Sequence, residues 1–482
     1  MAEKSKDFIP LENFNLGGLA YSKWAGVEYS LYKLVGWDLH STPGLLKVAQ
    51  KLKAETTGTE PTELCRVVVN SSNGAQYWFS YTTGKIWERP TTGTWRLVHT
   101  TTPGAGGAGC LGAAEYRGRI WWFTQSRAHY ITVALADDNN WATDAVEDAG
   151  TFTITDSEFH PTIESAGQIL YIGDGNYLAQ IDGTTFTANA LDIKTPLRIK
   201  SLGKIGTDVL IGTYIADTVT KTEIIRWNTW SVSFTTSDEI PEVGINAFIP
   251  ADNFVLVQAG LAGNIYWYDG ETLELYKTIP GDYSPTAYGE VHPNAVANLS
   301  GRMLFGFSNG SGNPANQGVY QIAKGSRDHP WVLDMPYPIS ERSSGALVVS
   351  GIEIGAILAV GQDLYVSWKH GSVYGVDKLD YSNKLEAAYL ETRVMIINRE
   401  QFSTFSEFVV AYANLPANTA ITIQYEKNYA DAFADTTEVV DTDRKVVSAK
   451  EGVDATVLRL KVLPTVSGNN APTIESGAVF LS

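Results

Sequence analysis

The sequence predicts an all-β protein: a β-propeller of about seven blades, preceded by an N-terminal arm and followed by an antiparallel β-sandwich. Three observations carry this. The chain is rich in Gly (44), Tyr (24) and Trp (13), residues that suit tight turns and pleated, half-buried surfaces. Short apolar strands recur at roughly 40 to 60 residues, the spacing of four-stranded blades. Helical periodicity is nearly absent, the best candidate being a short stretch at Leu45–Lys53.

The recurring strands read Gln76–Tyr81, Arg119–Phe123, Gln168–Ile172, Asp208–Gly212, Asn253–Val257, Arg302–Phe307 and Asp363–Trp368. Each is followed by a turn and a second strand: Lys85–Glu88, His129–Val133, Tyr177–Ile181, Ile224–Trp227, Ile265–Tyr268, Val319–Ile322 and Val373–Val376. The turns between them are rich in Gly, Asn and Asp, as in Gly173-Asp174-Gly175-Asn176, Gly260-Leu261-Ala262-Gly263-Asn264 and Lys369-His370-Gly371-Ser372. Such residues supply the positive φ of tight hairpins. A further turn and a third strand follow, as in Asp269-Gly270-Glu271 and Leu273–Tyr276. Radial closure shields the edges of such hairpins, and the regular spacing favours a propeller at 63–384 over two consecutive sandwiches.

The two ends differ from this unit. Residues 1–62 form an aromatic-rich arm with Tyr21, Trp24, Tyr29, Tyr32 and Trp37, then a polar linker at Lys53–Glu63. Such an arm either docks on a neighbouring subunit or packs back onto the propeller. Residues 385–482 carry longer alternating strands: Ala388–Ile396, Thr404–Tyr412, Ala420–Tyr425, Ala455–Val462 and Ile474–Phe480. Ile421-Thr422-Ile423-Gln424-Tyr425 alternates as a half-buried strand should, and the segment reads as a small separate antiparallel sandwich.

The formal net charge is −17. That argues against a protein gripping nucleic acid through phosphates, which needs clustered Lys and Arg. Met1–Pro10 is polar, without the apolar stretch of a secretory signal, and the apolar runs are strand-sized, too short for a membrane span. Cys65 and Cys110 form no metal or disulfide pattern and read as buried thiols.

Several segments match chemical motifs in part. Gly306-Phe307-Ser308-Asn309-Gly310 matches a nucleophile elbow, but a loop, Ser311-Gly312-Asn313-Pro314, follows where a helix is required. Asp137-Asp138-Asn139-Asn140 lacks the Gly and terminal Glu of a calcium loop. His160, His292 and His329 each precede Pro and read as extended turn residues; the histidines make no zinc pair. Glu164, Asp174, Glu223, Asp269 and Glu290 are the carboxylates a propeller glycosidase could use, and each is an ordinary hairpin residue. Trp121-Trp122 and Tyr266-Trp267-Tyr268 could stack on sugars, but lie in strands where packing between blades is the simpler use. No catalytic, cofactor or metal residue is assigned, and no enzymatic activity is expected.

Three segments carry a resemblance: Gly17-Gly18-Leu19; Pro43-Gly44-Leu45-Leu46-Lys47; and Tyr116-Arg117-Gly118-Arg119-Ile120-Trp121. With Tyr389-Leu390-Glu391-Thr392-Arg393 and Leu415-Pro416-Ala417-Asn418 near the end, they resemble tailed-bacteriophage virion proteins that have a divergent propeller and a C-terminal sandwich. The resemblance implies a structural tail or neck component, made in the host cytoplasm. It implies a homo-oligomeric ring or hub that joins tail parts or lines the DNA exit route. The arm and the sandwich would contact other virion proteins, with no sequence-specific nucleic-acid binding. The alternatives are a host-surface or carbohydrate-binding adhesin and, behind it, a propeller glycosidase.

Overall fold

The computed structural model describes residues 8–101, 109–125, 127–136, 141, 146–148, 154, 158–165, 168–216, 221–251, 253–309, 316–342, 344–348, 350–397, 403–430 and 432–481. The acidic loop at Asp137–Asn140 and the Gly310–Pro314 loop lie outside these residues. Strands dominate; among the described residues the helices are two single turns, Phe14–Gly17 and Val133–Ala136.

The predicted hairpins form in the expected places. Asp174 pairs with Tyr177 across a two-residue turn, made possible by Gly175 at φ 65°. His370 pairs with Val373 in the same way. Each hairpin set, however, has a strand that the repeat did not include. It precedes the apolar strand and lies innermost: Cys65–Asn70, Gly112–Tyr116, Thr162–Ser165, Leu197–Ile205, Ile245–Pro250, Gly289–Leu299 and Ile352–Val360. Each contacts the next in chain order, and the last returns to Cys65–Asn70, so these strands surround the axis of a closed propeller.

Six blades stand as separate four-stranded sheets, where about seven were expected. The strands of 289–338 occupy a place in the ring but are not a free-standing blade. Their outer strand, Val332–Pro338, accepts the arm strand Lys33–Val35 as a parallel neighbour, and the sheet continues through Tyr389–Glu391 to ten strands. Another blade is completed from the arm: Gln50–Ala54 pairs with Val373–Lys384 and supplies its outer strand. The stretch Leu45–Lys53, the best helical candidate, is thus two strands, Leu46–Val48 and Gln50–Ala54. Two open sheet edges take up its backbone groups, and this outweighs a weak local preference.

The C-terminal strands do not close into a sandwich of their own. Ser403–Asn414, Glu438–Asp441, Val446–Ala455 and Thr473–Leu481 share a seven-stranded sheet with three arm strands, Phe8–Leu11, Trp37–Asp38 and Leu46–Val48. Ala420–Lys427 and Val457–Thr465 belong to the ten-stranded sheet. Both ends of the chain therefore build one composite platform against the ring, and the arm packs back onto its own propeller. Its apolar residues, among them Phe408, Ile423 and Leu460, share one continuous core with the blade residues Phe305, Val319 and Ile354.

Cys65 and Cys110 are buried and unbonded, and burial pushes the Cys110 thiol up to about 12. No described helix is long and apolar enough to cross a membrane.

Candidate functional site

At one mouth of the axis the inner strands leave a cavity of about 480 Å³. Its wall is built by period-2 alternation: the three inner strands that line it bury apolar residues in the blade and leave polar ones toward the cavity. In Cys65-Arg66-Val67 the flanking residues are buried and Arg66 is partly exposed. Glu290-Val291-His292 and Ile352-Glu353-Ile354 place their charged or polar members in the same wall. Ser308, Asn309 and Lys369 come from the second strands of the adjoining sheets.

The charges are paired. Arg66 Nη2 donates to Glu353 Oε1, and its guanidinium lies 4.2 Å from the centre of the Tyr81 ring. Lys369 Nζ is 3.8 Å from the other oxygen of Glu353. Lys200 Nζ stands 2.6 Å from Asn246 Oδ1 and 3.4 Å from Glu290 Oε2. Three cations and two carboxylates thus meet around the cavity, a locally positive balance on an acidic chain. His292 reflects it: burial, then the charges of Arg66 and Lys200, hold its imidazole well below the usual histidine range. Phe159 meets the ring edge-on at 4.7 Å.

Of the five carboxylates singled out in the sequence, Glu290 lines this cavity. Glu164 lies on an inner strand, Asp174 at the end of a second strand, and Glu223 on a third. Asp269 caps its own turn, accepting from the backbone N–H of Glu271 at 3.0 Å and of Thr272 at 2.7 Å. Sequence reasoning missed Arg66, Asn309, Glu353 and Lys369, and read His292 as a turn residue. The usable signal was a lone charge alternating with apolar residues just before each hairpin, as in Ile352-Glu353-Ile354.

Ser308 is no exposed nucleophile: it lies in a strand, and its Oγ accepts from Ile354 N at 2.8 Å. Trp121 and Trp122 are fully buried, and Trp267 stacks on Phe254 at 3.5 Å; these aromatics serve packing. His160 is buried, with Nδ1 2.9 Å from the Gly173 carbonyl, and His329 contacts Asn15 at 2.9 Å. Among the described residues, no cluster of three His, Cys, Asp or Glu could hold a metal ion.

No family model matches the chain, and no curated protein matches it. Solved structures resemble it at low identity. The extracellular domain of BT4673 from B. thetaiotaomicron has a TM-score of 0.48 at 13% identity, covering 84% of this chain and 52% of that one. This chain therefore spans about half the length of that protein. A streptogramin B lyase has a TM-score of 0.44 at 10% identity over 68% of this chain and 97% of its own. Virginiamycin B lyase from Staphylococcus aureus has 0.45 at 13% over 67% and 97%.

Proposed function

We propose that the chain is a structural component of a bacteriophage virion, a tail or neck protein that assembles as a ring or hub and connects tail parts or lines the DNA exit route. The observation that carries this reading is what the resembling segments do. Gly17-Gly18-Leu19 is a clip: Leu19 N donates to Leu333 O at 2.8 Å, and a Cβ on Gly18 would stand 2.6 Å from that same oxygen. Pro43-Gly44-Leu45 turns the chain so that Leu46 pairs with Ile474 on the C-terminal strand; Gly44 sits at φ 83°. The first motif fastens the arm to the ring and the second fastens it to the C-terminal strand, which suits a part that must stay rigid under load more than a catalyst that must open.

The cavity's charges support the same reading over the glycosidase one. Glu290 and Glu353 are engaged by Lys200 and Arg66, whereas a two-carboxylate glycosidase sets both carboxyls to flank the scissile bond. The adhesin reading draws on one observation. Tyr21, Trp24 and Tyr429 are each more than half exposed, with the Trp24 and Tyr429 rings 5.2 Å apart. Such a surface could stack on sugar rings.

Immunogold labelling of particles from the phage that encodes the chain tests the proposal. Label is expected at the tail or neck, with mass spectrometry giving a fixed copy number. Intact, infectious particles that lack the chain would overturn it, and retention on a glycan array would favour the adhesin.

A further inference from the structure

The wall of the axial cavity holds an unsolved hydrogen-bond problem. Arg66 Nε, Asn309 Nδ2 and His292 Nε2 are each shielded from solvent and have no partner among the described residues. All three are donors. Arg66 Nε always carries hydrogen. Asn309 is turned so that Oδ1 accepts from Gly351 N at 3.3 Å, leaving its amide hydrogens unpaired. His292 Nδ1 accepts from Asn294 N at 3.3 Å, so the neutral ring carries its proton on Nε2. Buried donors are nearly always paired in folded proteins, and three orphans round one cavity call for an acceptor. With Arg66, Lys200 and Lys369 at its edge, that acceptor is an anion.

The same wall says what kind. Glu290 and Glu353 present acceptor oxygens to the same space. A bare phosphate would meet them with its own negative oxygens, while hydroxyl groups would donate to them. The cavity, about 480 Å³, is large enough for one sugar-sized molecule. We infer that the axial cavity binds a small hydroxylated carboxylate, of the sugar-acid class. Its carboxylate takes the Arg66 Nε and Asn309 Nδ2 hydrogens once those side chains rotate toward the cavity, and its hydroxyls go to Glu290 and Glu353. The inference stands apart from the assembly reading, since a ring component and a free-standing receptor could both carry such a site.

Isothermal titration of the full chain with D-glucuronate, glucose and inorganic phosphate tests it. Saturable one-to-one binding of glucuronate is expected, at least about tenfold tighter than glucose or phosphate, the worth of a charge-assisted donor set. Asn309→Asp exchanges a donor for an acceptor at constant shape and should weaken glucuronate about tenfold or more. Lys369→Gln, at the exposed rim, keeps the proposal testable should the buried variant not fold, and should weaken it about threefold. Absence of glucuronate binding, glucose binding as tightly, phosphate binding as tightly, or unchanged affinity in folded variants would each overturn the assignment.

Discussion

The two sides of the ring are held together in different ways. From the blade beginning at Cys65 round to the one beginning at Leu197, the apolar core is broken into small clusters, each straddling one pair of neighbouring blades. Val67 and Phe79 pack with Ile120 and Trp122, then Trp121 and Phe123 with Leu170 and Ile172, then Tyr171 and Leu178 with Val209 and Ile225. Between Ile249 and Trp368 many of the buried residues, among them Leu256, Phe305, Val319 and Ile354, join one large core with the platform, and smaller clusters remain where this side meets the clustered one, at Val257 with Leu210 and at Tyr365 with Trp78. Equal blades thus differ in stability by what lies outside them. The platform side should open only with global unfolding, while the clustered side can open one blade pair at a time. The platform side also contains the cavity's Glu290 and Glu353, so the candidate site has a rigid edge and a looser one, the latter carrying Arg66 and Lys200.

The largest effect expected from breaking this comparison is at Arg459. It joins three platform strands through Glu391 at 2.6 Å and Glu426 at 2.6 Å, and all three side chains are at least nine-tenths buried. Arg459→Met takes the buried guanidinium from both carboxylates, leaving Glu391 to the longer contacts of Lys33 at 3.5 Å and Lys461 at 4.0 Å, and should cost about 3–5 kcal/mol. Urea denaturation would read this, with hydrogen exchange rising across the platform and the blades fused to it. Next is Gly18→Val. At φ 61° and against the Leu333 carbonyl, a side chain is strained twice. A loss of about 1–3 kcal/mol is expected, with faster exchange at Val332–Pro338.

Glu63 tests the looser side through pH. Burial raises its carboxyl, but donors from Lys85, Ser80 and Thr83 outweigh this and hold it below the usual carboxylate range. A depressed folded value contributes stability that is present above the unfolded pKa and lost as pH falls through the folded one. Glu63→Gln should therefore cost about 1–2 kcal/mol at neutral pH. The difference from the parent should shrink below about pH 4.3, the ordinary value for Glu, and vanish in stronger acid. Thermal melts across that range would check it; a constant difference would refute the assignment. The smallest effect is expected from Ile120→Val, about 0.5–1.5 kcal/mol. Its use lies in locality: faster exchange should be confined to the blades flanking that cluster and leave the platform unchanged.

The hairpins were legible because both strands and their turn lie within about 15 residues, so alternation and a glycine such as Gly175 suffice to write them. The inner strands escaped notice because the axis is polar. Arg66, Glu290, His292 and Glu353 interrupt the apolar pattern by which a strand is recognised, and the residues that hid those strands are the ones that make the candidate site. The fate of the ends had no local signal at all. Phe8 pairs with Phe480, and Lys33–Val35 inserts between strands from residues 332–338 and 389–391. Propensity within a ten-residue window cannot encode a partner hundreds of residues away.

By itself, then, the sequence determined an all-β chain, the repeated hairpins, the turns between them and the acidic charge, because each follows from neighbours along the chain. Tertiary structure alone decided that six blades stand free and that both ends merge into one platform, because open sheet edges are satisfied by whichever strand reaches them. It also decided that one charged residue from each of several distant strands faces a common cavity, because ring closure brings to one axis what the chain keeps far apart.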